Sequence, residues 1–166
     1  MALPGIPLWN DQDILLCHGT LDVHVSSILQ AVDVTRGKPL KDFGRGFYTT
    51  TSKLKAEQWA QDLSLNGTGK AAVIEFRVCR DDLAQLDFLF FIRFDSNAVD
   101  FWSFVQHCRT NIGDHGRAHT SWYDMVVGPV TGTWKRLTTI PSADQISFHT
   151  FAGATVLDRS GKVQVL

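Results

Sequence analysis

Cysteine is scarce in this 166-residue sequence, and so is any excess of charge. Cys17, Cys79 and Cys108 are odd in number and stand in apolar surroundings, which excludes a disulfide framework and predicts reduced thiols in a core. Sixteen lysines and arginines against 17 aspartates and glutamates leave a net charge of −1, so no global field draws the chain to nucleic acid or an anionic membrane. Long hydrophobic runs are missing: the longest, Phe88 to Ile92, is far too short for a bilayer. The first residues have neither the basic nor the apolar region of a secretory signal. The expectation is a cytoplasmic chain with no membrane partner, in which Asn66-Gly67-Thr68 is a turn rather than a glycosylation site. Repeats and linkers are also lacking. The length therefore predicts a single domain over 1–166, enough to bury roughly 70% of its unfolded surface around one core.

Several chemistries lack their motifs. There is no G-x-S-x-G nucleophile elbow and no Gly-Lys-Ser/Thr phosphate loop. Asp42-Phe43-Gly44 spells the magnesium triplet of kinases, but the matching catalytic loop is absent and the chain is too short. His115 and His119 have a spacing that converges on one face of a helix, yet they flank Gly116 in a segment without helical periodicity. Cys17-His18 and His107-Cys108 are adjacent pairs whose side chains diverge on a regular element, and no metal site is expected.

What is present is a set of short, well-punctuated segments. Ile14 to Cys17 reads as a buried strand ending in His18-Gly19-Thr20, followed by a helix with Val25, Ile28, Leu29 and Val32 on one face and Thr20 or Asp22 at its start. Gly37-Lys38-Pro39 breaks that helix and opens a polar loop to Gly46. Phe47 to Thr51 is a strand by propensity, and Ser52 caps a helix with Ala56, Trp59, Ala60 and Leu63 together. Residues 72–78 and 86–94 read as strands. Ser96 or Asn97 starts a helix burying Phe101, Phe104, Val105 and Cys108, and residues 111–121 read as loop. Tyr123 to Val130 is a strand ended by Gly128-Pro129, Gln145 to Thr150 another, and Lys162 to Leu166 a last one. Without regular βαβ spacing, this order predicts α+β with mainly antiparallel sheet.

His18-Gly19-Thr20 at a strand end, Gly44-Arg45-Gly46-Phe47-Tyr48-Thr49 about thirty residues later, Trp59 eleven positions after the tyrosine, and Gln145 at the head of a late strand form an ordered set. This set resembles the three-motif signature of the diphtheria-toxin-like and poly(ADP-ribose)-polymerase-like ADP-ribosyltransferases. The chain is similar, closer still, to an uncharacterised bacterial family of that superfamily, through the run Asp42 to Thr50 and counterparts of 123–130 and 144–150. The resemblance covers residues near 14 to 150 and implies two mainly antiparallel sheets forming a split core, flanking helices and an NAD cleft. It also implies NAD⁺ as co-substrate, with His18, Tyr48 and Gln145 as catalytic residues. Gly19, Thr20, Gly44, Arg45, Gly46, Phe47, Thr49 and Trp59 are implied as the residues that hold the dinucleotide.

The chemistry gives these residue types a reason. Cleavage of the nicotinamide–ribose bond passes through an oxocarbenium-like ribose. Two aromatic faces, Tyr48 and Trp59, can clamp the leaving ring, and Gly19 lets it approach the backbone. By resemblance, His18 binds a ribose hydroxyl of the adenosine half, and one of Lys38, Lys41 and Arg45 meets the pyrophosphate. Gln145 stands where many relatives have a glutamate: it keeps hydrogen bonding but loses charge. Polymer elongation is therefore not expected, and Asp144, Asp124 or Glu75 is a candidate to supply the missing carboxylate. Ala56 stands where the polymerase-like branch has a small hydroxyl. The resemblance implies mono-ADP-ribosyl transfer to a protein or nucleic-acid acceptor, with NAD⁺ hydrolysis as a side activity, in a toxin–antitoxin or phage-defence setting with a cognate antitoxin. A binding module of the same fold that holds NAD⁺, ADP-ribose or a protein partner without turnover is the alternative. Each residue also has a structural role open to it: histidine at a strand rim, aromatics in a core, glycines in a turn.

Overall fold

Eight residues opening on the apolar run Ile14 to Cys17, Ile14–Leu21, form strand β1 of the computed structural model, which describes residues 13–92, 98–110 and 114–166. The strand passes through His18-Gly19-Thr20 rather than ending before them, because antiparallel partners continue: His18 faces Ile74 and Thr20 faces Ala72 on β3 (Ala71–Val78). Helix α1 (Asp22–Gln30) follows at once. Its first residue is capped by neither expected side chain. Asp22 Oδ1 instead accepts from the N–H of Val23 and of Lys70, both at 2.9 Å, tying the helix start to the turn before β3. The helix stops at Gln30, so Val32 is buried beyond it, where its N–H donates to Asp158 Oδ1 at 2.9 Å.

Strand β2 (Phe47–Thr49) is short and leads through Ser52, whose hydroxyl accepts from the Lys55 N–H at 3.3 Å, into helix α2 (Lys53–Asn66). Next come β3, a short helix α3 (Arg80–Ala84) and β4 (Phe88–Phe90). Helix α4 (Val99–Thr110) buries Phe101, Val105 and Cys108 as its periodicity predicts, and Trp102 besides; the positions expected to start it, Ser96 and Asn97, lie outside the described residues. Strands β5 (Met125–Thr133) and β6 (Thr138–Phe148) form a hairpin, helix α5 (Phe151–Arg159) follows, and β7 (Gly161–Gln164) closes the order.

Two sheets result, one with antiparallel order β1-β3-β7 and one with order β2-β6-β5-β4. The second is mixed, since β4 runs parallel to β5. The architecture is α+β, with two sheets and five α-helices among the described residues. Gly128-Pro129 does not end β5. Because β4 pairs only with residues 125–127, Pro129 lies where β5 has a single neighbour, and a register shift follows it. Helices α3 and α5 were not expected from the pattern. Residues 151–159 look like a loop because Gly153 and Thr155 dilute their apolar face. Yet Thr150 caps the helix through the Gly153 N–H at 3.3 Å, and Ala154, Val156 and Leu157 are buried.

The main core lies between the sheets, where Ile74 and Phe76 meet Phe47, Ile146 and Phe148. A second aromatic core, with Phe43, Phe91, Phe101 and Trp102, joins α4 to the four-stranded sheet. The sheets are stitched by reciprocal backbone bonds between Cys17 and Thr50 at 2.8 and 3.0 Å. Cys17 and Cys108 are buried; Cys79 is exposed at the start of α3, contrary to the core position expected of it.

Helix α2 rests on β1 by its backbone. A β-carbon on Gly19 would stand 2.2 Å from the carbonyl oxygen of Ala56, so only glycine lets the strand and helix meet at this distance. Gly19→Ala is expected to destabilise the protein by about 1–3 kcal/mol, the usual cost of overpacking a rigid contact. Chemical denaturation checks this: the midpoint falls while its slope stays that of the native protein.

Candidate active site

The loop from Gly37 to Gly46 carries more backbone polar groups than it can satisfy internally. Gly44, at φ 81°, turns it back toward β2, in a conformation side chains avoid. Rings from other elements hold it. Tyr48 donates its hydroxyl to the Gly44 carbonyl at 2.7 Å and accepts from the Phe43 N–H at 3.0 Å. His115 Nε2 donates to the Phe43 carbonyl at 3.0 Å, and its Nδ1 accepts from the Tyr123 N–H at 3.2 Å. His149 Nδ1 donates to the Arg45 carbonyl at 2.7 Å and its Nε2 accepts from the Ser147 hydroxyl at 2.7 Å. Carbonyl and amide partners define the His115 tautomer as neutral, and the Arg45 carbonyl fixes the His149 proton on Nδ1.

His18 follows the same logic at the loop's exit. Its Nδ1 lies 2.7 Å from the Tyr48 carbonyl, which can only accept, so Nδ1 carries the proton and Nε2 is an acceptor. The ring stacks on Phe47 with centroids 4.1 Å apart. Burial pushes the imidazole down: His18 and His115 to about 4, His149 to about 3. The tyrosine hydroxyl is pushed well up by the same cause.

Asp42 opens the loop and is 4% exposed. Its carboxylate accepts from the Arg109 guanidinium (Nε at 2.9 Å and one terminal nitrogen), the Thr131 N–H at 3.1 Å and the Thr131 hydroxyl at 2.7 Å. It also accepts from the side-chain amide of Gln145 at 2.8 Å. The same amide nitrogen donates to the Pro129 carbonyl at 2.9 Å.

These elements enclose a cleft of about 830 Å³, within the range of small-ligand pockets. His18, Gly19, Thr20, Phe47, Tyr48 and Trp59 line one part of it. Asp42, Arg109, Thr131 and Gln145 line another, and Arg36, Lys38 and Lys41 add positive charge that Asp33 and Asp62 partly offset. His18, Tyr48, Trp59 and Gln145, expected to converge from four separate segments, face one opening. Gly46 lines it as well. Gly44, Arg45 and Thr49 do not: Gly44 is the turn, Arg45 contributes its carbonyl to His149, and Thr49 is fully buried with its hydroxyl on the Ile146 carbonyl at 2.9 Å.

The carboxylates expected to compensate for Gln145 are elsewhere. Asp144 accepts from the Thr50 hydroxyl at 2.7 Å, the Thr51 N–H at 2.9 Å and the Thr51 hydroxyl, bracing the entry to α2. Asp124 accepts from Thr150 and from the Asp87 N–H, and Glu75 pairs across β1 with Cys17. None of the three lines the cleft. Ala56 is fully buried beneath Gly19, so no side chain at that position reaches a ligand. Asp42, Arg109 and Thr131 are among the cleft residues that the sequence pattern did not reveal. The available signal was an aspartate heading an otherwise apolar and glycine-rich run, a residue type rarely buried without partners. Among the described residues no group of three metal-type side chains is placed to hold an ion, and no helix is long and apolar enough to cross a membrane.

The arrangement is that of an α+β protein whose cleft offers aromatic faces, a neutral imidazole acceptor and flanking cations, features that suit a planar, hydroxylated and anionic small molecule. The chain belongs to a family described as protein of unknown function (DUF3990), whose model matches residues 15–133 and so includes His18, Tyr48 and Trp59 but not Gln145. No curated protein and no solved structure matches it.

Two expectations follow from this geometry. Tyr48→Phe keeps the ring but strands the Phe43 N–H and the Gly44 carbonyl, a loss of about 1–3 kcal/mol measurable by denaturant unfolding. The buried imidazoles also make the fold acid-labile. Their folded values lie below the ordinary value of about 6.5, so the unfolded chain binds more protons as pH falls below that value. Stability is greatest above pH 6.5 and declines toward pH 4, by up to ~1.4 kcal/mol per pH unit for each of His18, His115 and His149. Unfolding midpoints measured from pH 8 to 4.5 should show this decline, and His149→Gln should make it shallower by about one proton.

Proposed function

We propose that the protein is a mono-ADP-ribosyltransferase that uses NAD⁺ as co-substrate. The observation that carries the reading is the convergence of His18, Tyr48, Trp59 and Gln145 on one cleft from four separate segments of the chain. In the proposed reaction the bond between the ribose C1′ and the nicotinamide nitrogen breaks, and its electron pair leaves with nicotinamide, neutralising the ring's charge. The acceptor's nucleophile bonds to C1′ and releases a proton. Water in place of the acceptor gives NAD⁺ hydrolysis.

The residues suit this chemistry. Neutral His18 presents Nε2 as an acceptor for a ribose hydroxyl, and burial keeps it neutral throughout the physiological range. Trp59 and the Tyr48 ring supply aromatic faces for the leaving group, each stack contributing roughly 0.5–1.5 kcal/mol beyond area. Arg36, Lys38 and Lys41 suit the pyrophosphate. The acceptor is a protein or nucleic acid, and a toxin–antitoxin or phage-defence role with a cognate antitoxin is part of the proposal, by resemblance alone.

One observation favours a second reading, a module that binds NAD⁺ or ADP-ribose without turnover. The carboxylate beside Gln145, Asp42, is already paired with Arg109, which leaves less negative charge there for an oxocarbenium.

Purified protein incubated with NAD⁺ labelled in its adenylate half, with and without bacterial lysate, tests both. Transfer of label or release of nicotinamide is expected from the native protein. His18→Ala and Trp59→Ala should lower the rate by about 100-fold or more, by misplacing the dinucleotide. Calorimetric binding of NAD⁺ without nicotinamide release would select the module, and neither binding nor product across several lysates would dismiss both readings.

A further inference from the structure

Gln145 is 4% exposed, and its amide nitrogen has two hydrogens, one aimed at Asp42 Oδ2 and the other at the Pro129 carbonyl. A carboxylate and a peptide carbonyl can only accept, so chemistry dictates which end of the amide faces them. Among the described residues no group donates to Gln145 Oε1, and the residue lines the cleft. The amide is thus presented with one polarity. It can accept a hydrogen bond from a ligand but cannot donate one.

We infer that Asp42 is a positioning residue that locks Gln145 as a hydrogen-bond acceptor, making the cleft select a ligand hydroxyl at this point. Arg109 and Thr131 hold the Asp42 carboxylate from its other sides, so it cannot turn away from Gln145 without abandoning them. The selection is by negative as well as positive interaction. A ligand carbonyl or phosphate oxygen brought to Oε1 meets an acceptor, whereas a hydroxyl meets a partner. A carboxylate in place of Gln145 would face a carboxylate and a carbonyl, so it is disfavoured here unless protonated.

The identity of the hydroxyl, on the nicotinamide ribose, rests on the proposed NAD⁺ reading; the hold of Asp42 on Gln145 does not. The test therefore has two arms. In the first, calorimetry compares NAD⁺ with its analogue lacking the 2′-hydroxyl of the nicotinamide ribose. The native protein should prefer NAD⁺ by about tenfold, the loss of one buried hydrogen bond, and Asp42→Asn should bring the two affinities to within about threefold by letting the amide reverse. A native protein that binds both equally, or an Asp42→Asn protein that keeps the tenfold preference, overturns the inference. In the second, Gln145→Glu is unfolded at pH 5 to 8 with no ligand present. The new carboxyl's folded value is raised above its unfolded value of about 4.3, so stability should fall as pH rises, and adding Asp42→Asn should make that fall shallower, since burial and the Pro129 carbonyl remain. A Gln145→Glu protein with the native pH dependence overturns the inference. Failure of the native protein to bind NAD⁺ sinks the ADP-ribosyl reading, and the second arm then decides the role of Asp42. If Asp42→Asn does not fold, Asp42→Ser, which likewise removes the charge facing Gln145, replaces it in both arms.

Discussion

The loop between Asp42 and Gly46 cannot exist in this shape without the side chains that hold its backbone. Buried amides and carbonyls that find no partner cost more than the bonds they would make return, so the loop is stable only where donors and acceptors are delivered to it. Tyr48, His115 and His149 deliver them from β2, from the segment after α4 and from the residue following β6. One short turn therefore joins the two halves of the chain. It also sets the position of Asp42 at its head and of Phe47 and Tyr48 at its end, and from these the geometry of the cleft follows.

The electrostatics of the site are correspondingly quiet. Its buried imidazoles are neutral, with each proton assigned by the group opposite. Its one deeply buried carboxylate is matched by a guanidinium and a ring of neutral donors. Exposed charge of both signs also lines the cleft, on Arg36, Lys38 and Lys41 and on Asp33 and Asp62.

Much of this was legible in the residues. The apolar stripe of α4, the cap at Ser52, the strand around Ile74 and the α+β order are local signals, and local signals survive into the fold. The convergence of His18, Tyr48, Trp59 and Gln145 was legible only through the order of motifs, because spacing carries no distance. What stayed hidden depends on contacts remote in sequence. The extension of β1 through Thr20 requires β3 as a partner, and β5 runs past Pro129 because β4 has already ended. Asp42 reads as an ordinary loop aspartate until Arg109, Thr131 and Gln145 arrive from 67, 89 and 103 residues away. Arg45 and Thr49 do not line the cleft although the motif names them beside residues that do: Arg45 lies in the bend before β2 and gives its carbonyl to His149, and Thr49 turns its hydroxyl inward to the Ile146 carbonyl.

The backbone contact between Gly19 and Ala56 bears on more than local packing. Trp59 stands one helical turn beyond Ala56, and His18 immediately precedes Gly19, so main-chain atoms set the gap between these two walls. Side chains relax; main chains in a strand and a helix scarcely do. The spacing of this strand and helix is therefore nearly constant, and substitutions at the cleft residues they carry can change its chemistry without changing how far apart the two elements stand.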